Sequence, residues 1–145
     1  MVAVDSLGEL AEQRYPPDTE WHAPGDEVWR AHHQAEMAAM LELLAPLGIP
    51  LLVADAPPIT GGMFAGGSLA DPARLQAWNA QIAEWDRSYD QVLTLQLAGR
   101  IVSYEAEHPD CRPDGVHLGQ MAWDELARLY LVDDVVALFV HRPVG

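Results

Sequence analysis

Lysine is absent from this chain. Its eight basic residues are all arginines, set against 22 Asp and Glu, for a formal net charge of -14. Nothing in such a balance neutralises a phosphate backbone, so nucleic acid is excluded as a partner class. An anionic membrane surface is excluded for the same reason. Cysteine occurs once, as Cys111. An internal disulfide framework and a cysteine-based zinc site are therefore ruled out. Cys111 lies in His-Pro-Asp-Cys-Arg-Pro, a loop sequence, and reads as a free thiol without a catalytic role. No apolar run approaches the ~18 residues of a membrane span, so no membrane insertion is expected. The opening Met1-Val-Ala-Val-Asp5 carries no basic residue ahead of its apolar stretch and does not read as a secretory signal. A chain standing alone is thus expected in the cytoplasm. Asparagine also occurs once, as Asn79.

What is present fits one domain over residues 1–145, with half of its residues apolar. Val2-Ala-Val4 reads as a short buried strand. Tyr15 to Asp26 is proline-rich and reads as a loop. Asp26 should then cap a helix whose stripe is Trp29, His33, Met37, Met40, Leu44 and Leu47, ended by Gly48 and Pro50. Leu51 to Asp55 is apolar until its last residue, as a strand covered on both faces would be. Pro57 to Ser68 reads as a loop. Asp71-Pro72 is a strong helix start, followed by the stripe Leu75, Trp78, Ile82, Trp85 and Tyr89. Gln91 to Leu95 is the next strand. A short helix follows, then a polar loop from His108 to Gly115. Leu118 to Leu131 is helical by pattern, with Trp123, Leu126, Ala127 and Tyr130 on one face. Asp133-Asp134 should break it, and Val135 to Val140 reads as a final strand or a buried tail. Alternation of strand and helix implies right-handed βαβ units and a three-layer α/β/α domain with a short, mostly parallel sheet.

Arg112-Pro-Asp-Gly-Val-His-Leu118 carries the chemistry. Asp114 and His117 stand three residues apart in a loop before a helix. There the carboxylate can hold one ring nitrogen of His117 and fix its tautomer. The other nitrogen is left to take a proton from a hydroxyl. In this setting the segment resembles the last conserved block of the SGNH (GDSL-type) hydrolases. Trp21-x-x-Pro24-Gly25-Asp26-x-x-Trp29 before a helix resembles the SGNH domains of O-acyltransferases. So do the Gly48-Ile-Pro-Leu-Leu-Val strand, Pro57-Pro58, and Asp71-Pro-Ala-Arg74 with Trp78-Asn79. The similarity spans about Trp21 to Leu131.

The resemblance implies a flavodoxin-like SGNH fold and acyl transfer from a small ester, such as an acetylated carbohydrate, to water or a hydroxyl. His117 would be the general base and then acid, with Asp114 orienting it and no cofactor or metal. The family's nucleophile is a Ser in an early Gly-Asp-Ser block. Here Val4-Asp5-Ser6-Leu7 has Val in place of that Gly, and Asn79 falls inside a helix rather than in an oxyanion block. The preferred alignment sets Met1 to Leu10 on the family's middle strand, so the first strand-helix unit and the nucleophile block are missing. The other keeps Ser6 as nucleophile of a shortened domain. Were the chain a piece of a membrane acyltransferase, its domain would lie outside the cytoplasm.

Trp21 and His22, in the proline-rich loop, are candidates to line a substrate mouth. His32 and Glu36 are four residues apart on one helix, but two ligands do not make a metal site. Glu105, Glu107, His108, Asp110 and Asp114 read as a solvated acidic loop without calcium-loop spacing. The rival reading is a non-catalytic, degenerate or truncated module that binds a ligand or partner. Its incomplete sheet would favour homo-oligomers.

Overall fold

A computed structural model describes residues 10–141, the side chains of Met63, Phe139 and His141 excepted. The expected strand Val2–Val4 and Ser6 lie outside the described residues. The fold is mixed α/β. Its elements are α1 (Glu27–Leu44), β1 (Leu51–Ala54), α2 (Pro72–Ser88), β2 (Val92–Leu95), α3 (Leu97–Glu107), α4 (Gln120–Leu126) and α5 (Val132–His141). A single π-helical turn, Ala127–Leu131, joins α4 to α5.

The two helix starts expected to be capped by an aspartate turn out differently. Pro72 opens α2, and the Asp71 carboxylate accepts the N–H of Ala73, as the sequence requires. Asp26 occupies the cap position of α1, but its carboxylate turns back to the N–H of Ala23 and makes no side-chain cap. α1 buries Trp29, His33, Met37 and Leu41. The stripe expected to reach Leu47 stops earlier: Ala45–Leu47 tightens into a 3-10 turn, Leu47 is exposed, and Gly48 ends the segment at φ +61°.

The two strands run parallel, pairing Leu51 with Val92 through to Ala54 with Leu95. Side chains alternate between faces. Leu51, Val53 and Val92 join Trp29, Met37, Leu41, Trp78, Ile82 and Trp85 under α1 and α2. Trp29, Trp78 and Trp85 meet edge to face in series, their centroids 6.1 and 5.6 Å apart. Leu52, Leu93 and Leu95 face the opposite way, against Leu97, Leu131, Val135 and Leu138. A third cluster, Ile101, Tyr104, Cys111, Ala122 and Leu126, fixes α3 to α4.

The C-terminal expectation is corrected. Asp133-Asp134 does not end the helix, and Val135 to Val140 is neither a strand nor a tail but part of α5. Both acids fall in the first turn, where the helix dipole favours negative charge. Val135 and Leu138, three residues apart, meet the sheet together. Packing thus overrides the β preference of the valines, which is context-dependent. Of the face expected from Trp123 to Tyr130, only Leu126 is fully buried; Trp123 and Tyr130 are exposed. No helix among the described residues is long and apolar enough to cross a membrane.

Candidate functional site

The carboxyl end of β1 leads into the loop that meets the Asp114 segment. Asp55 follows the strand directly, and its carboxylate accepts the N–H of Ala98 at the start of α3, 2.7 Å away. Burial pushes the Asp55 carboxyl up from its ordinary value, opposed by the N–H groups of Ala98 and Leu97. Ala56 is clamped by the one asparagine. Asn79 Nδ2 donates to the Ala56 carbonyl, and Asn79 Oδ1 accepts the Ala56 N–H, both at 2.9 Å. The Asn79 amide thus holds the backbone at Ala56 through its oxygen and one of its N–H bonds.

Beyond Pro58 the chain reaches Gly61 and Gly62, which lie directly on Asp114 and Gly115. A Cβ on Gly62 would fall 1.8 Å from the Asp114 carbonyl oxygen, and one on Gly115 would fall 2.3 Å from the Gly61 nitrogen. Gly62 and Gly115 also have φ of +70° and +73°, so both the contact and the backbone demand glycine. The Thr60 N–H donates to the Gly115 carbonyl at 3.1 Å.

Arg112 locks this contact from within. Its side chain is 1% exposed. It donates to the Pro58 carbonyl at 2.7 Å, to Thr60 Oγ1 at 3.1 Å, and through Nε and a terminal nitrogen to both oxygens of Glu105. Thr60 Oγ1 in turn donates to Glu105. The Arg112 guanidinium holds the Glu105 carboxyl below its usual value. Arg112→Met should cost about 3 kcal/mol, because it leaves Glu105 and the Pro58 carbonyl without their partner. Chemical denaturation measures this, and a loss under 1 kcal/mol would show that the ion pair does not hold the loop.

On this support the Asp114 side chain organises its own turn. Oδ1 accepts the N–H groups of Val116 and His117 at 2.9 and 2.7 Å. Oδ2 lies 2.7 Å from His117 Nδ1. The His117 ring and these two N–H groups hold the Asp114 carboxyl well below the usual carboxylate range. The carboxylate places the proton of a neutral ring on Nδ1 and leaves Nε2 as the basic nitrogen. Among the described residues nothing bonds to Nε2, and the side chains of His117 and Asp114 are 72% and 50% exposed.

Trp21 and His22 are held differently. Trp21 is exposed, with the Arg14 guanidinium 5.7 Å from its ring centroid. His22 is buried, bonded through Nε2 to Asp18 at 2.8 Å and stacked on Tyr15. No hydrogen bond or ion pair joins either residue to the Asp114 loop among the described residues. Ser6 lies outside them. Glu36 lies 3.1 Å from His32 and 3.5 Å from His33. No group of three or more His, Cys, Asp or Glu side chains among the described residues is placed to hold a metal. Burial raises the Cys111 thiol above its ordinary value, which lowers its nucleophilicity at neutral pH. Tyr104 donates to Glu125 at 2.6 Å, which with burial pushes its hydroxyl up to about 12.

Sequence reasoning found the Asp114–His117 pair but not what supports it. The only local sign was Arg112, a cation beside Pro-Asp-Gly in a strongly acidic chain, and the pair of glycines at 61 and 62. No protein-family model, no curated protein and no solved structure matches the chain.

Proposed function

We propose that the chain carries the acid–base pair of an SGNH-type ester hydrolase or O-acyltransferase acting on a small acyl ester, such as an acetylated carbohydrate. The observation that carries this reading is the 2.7 Å contact of Asp114 with His117 Nδ1, which leaves Nε2 open. The pair sits on the loop between α3 and α4, packed against the loop that leaves the carboxyl end of β1, the end at which α/β domains bind ligands. Helices against both faces of the sheet are compatible with a flavodoxin-like three-layer domain.

In this reading His117 Nε2 takes the proton of a serine hydroxyl, for which Ser6 is the candidate, as the oxygen attacks the ester carbonyl. The tetrahedral intermediate collapses, and the imidazolium returns the proton to the departing alkoxide. A water or an acceptor hydroxyl, deprotonated by the same nitrogen, then takes the acyl group. Asp114 orients the ring throughout and stabilises its charged form. Trp21 and His22 are the candidates for substrate contact. No step calls for a metal or cofactor.

A second reading, a non-catalytic module that docks on a partner or on its own copy, is favoured by one observation. Leu129, Val132, Val136 and Val140 form an exposed apolar stripe at helical spacing from the π turn into α5. A fluorophosphonate probe decides between the two. Labelling of Ser6, read by intact mass and peptide mapping and lost in His117→Ala, is the result expected of a shortened domain with a complete triad, and would overturn the alignment in which the nucleophile block is missing. A folded protein that takes no adduct would mean that this chain holds no nucleophile, and self-association of that protein, lost in Val136→Asp, would then favour the docking module.

A further inference from the structure

The apolar stripe on the outer side of α5 is longer than that helix. The backbone stays in the right-handed helical region through both joins, so α4, the π turn and α5 form one run from Gln120 to His141. Its length is about 33 Å at ~1.5 Å per residue. The inner side carries Ala122 and Leu126, then Leu131, Val135 and Leu138 against the sheet. The outer side carries Leu129, Val132, Val136 and Val140. Met121, 86% exposed, joins them, because the wider π turn takes up about one extra residue and brings position 121 back over position 129. A helix apolar on both sides is a buried helix.

Two charges flank the stripe, Arg128 beside Leu129 and Asp133 beside Val132. Both are exposed, and among the described residues neither side chain has an ion-pair or hydrogen-bond partner. Written as a heptad, Leu129 and Val136 take position a, Val132 takes d, Arg128 takes g and Asp133 takes e. When two such helices run parallel, g of one lies opposite e of the next heptad in the other, five residues on. When they run antiparallel, g meets g and e meets e. Charges at e and g therefore set the orientation of a pair. Only a parallel pair of copies brings Arg128 to Asp133, and two-fold symmetry makes the contact twice.

We infer that this stripe docks on the same stripe of a second copy, the two helices parallel, with Arg128 of each copy against Asp133 of the other. Leu129, Val132 and Val136 form the apolar seam. Pairing along the run buries on the order of 1,000 Å² in total, the least expected of a stable interface. A lipid surface is not the occupant. A membrane-surface helix flanks its apolar face with cations, whereas here Asp133 stands on that flank in a chain of net charge -14. The inference rests on the stripe of the second reading and needs nothing from the Asp114–His117 chemistry.

Sedimentation equilibrium of the purified chain tests it at physiological salt, which screens the general repulsion between copies beyond ~8 Å. The expected result is twice the chain mass, with dissociation on the order of micromolar. Val136→Asp, at an exposed position, should keep the helical circular dichroism and sediment as a monomer. Arg128→Glu and Asp133→Arg should each weaken the dimer about tenfold, since each sets like charges opposite one another. Mixed in equal amounts, these two variants should associate as tightly as the original chain, because each then meets its opposite charge. The inference is overturned if the chain stays a monomer up to roughly millimolar concentration, if Val136→Asp leaves the dimer intact, or if the mixture associates no better than its parts. A monomer that takes the fluorophosphonate probe overturns the dimer and leaves the catalytic reading standing. A dimer that takes no adduct supports the inference in a chain that holds no nucleophile.

Discussion

Gly115→Ala should destabilise the protein by on the order of 3–4 kcal/mol and release the Asp114 loop. The new Cβ would lie within 2.4 Å of three Gly61 main-chain atoms, which cannot swing aside as a side chain would. The positive φ adds a strain of about 1–2 kcal/mol for any L-residue. Separating the two loops also breaks the bond from the Thr60 N–H to the Gly115 carbonyl, worth about 1 kcal/mol. Gly62→Ala, aimed at the Asp114 carbonyl, should behave alike. Gly66 supplies the control. Its φ is +78°, but a Cβ there meets nothing within 4 Å, so Gly66→Ala should cost only the strain, about 1–2 kcal/mol. Urea denaturation of the three variants measures the difference. Equal losses at 66 and 115 would mean that the two glycine loops do not bear on each other.

Asp114→Asn should lower the rate of probe labelling, or of ester hydrolysis, by about 10²–10³-fold. An amide can present its N–H₂ group to Nδ1 and favour the wrong tautomer, so the basic nitrogen faces away from the hydroxyl it must deprotonate. The loss is smaller than the roughly 10⁴-fold known for a buried triad aspartate, because solvent screens this exposed pair. A readout independent of activity is the tautomer itself, seen in the ring-nitrogen shifts of His117. The proton should sit on Nδ1 in the original protein and lose that preference in the variant. An unchanged tautomer would remove Asp114 from its assigned role.

The same carboxylate sets an acid limit on the loop. Its folded-state pKa is depressed. Its stabilising effect is therefore complete above the ordinary carboxylate range and is lost only as pH falls below it, through the folded value. The turn at Val116 and His117 should stay closed through mildly acid pH. In Asp114→Asn that acid dependence should vanish.

The sequence by itself determined what depends on neighbours a few residues away. The three- and four-residue spacing of Trp29, His33 and Met37 made α1, and Asp71-Pro72 started α2. The three-residue step from Asp114 to His117 closed a turn in which the carboxylate meets both the ring and two N–H groups. Tertiary structure decided the rest. Val135 to Val140 has the composition of a strand, yet it became helix because Val135 and Leu138 could bury together on the sheet only at helical spacing. Asp26 was spaced to cap α1 and bonded Ala23 instead. Arg112 reaches Pro58 and Thr60, more than fifty residues away, and Gly115 needs Gly61 beneath it. No local pattern encodes such a meeting, because each partner's residue type is compatible with many surroundings until the fold brings the two loops together. The turn that pairs Asp114 with His117 is therefore written in the sequence, while its attachment to the end of β1 comes from contacts between distant parts of the chain.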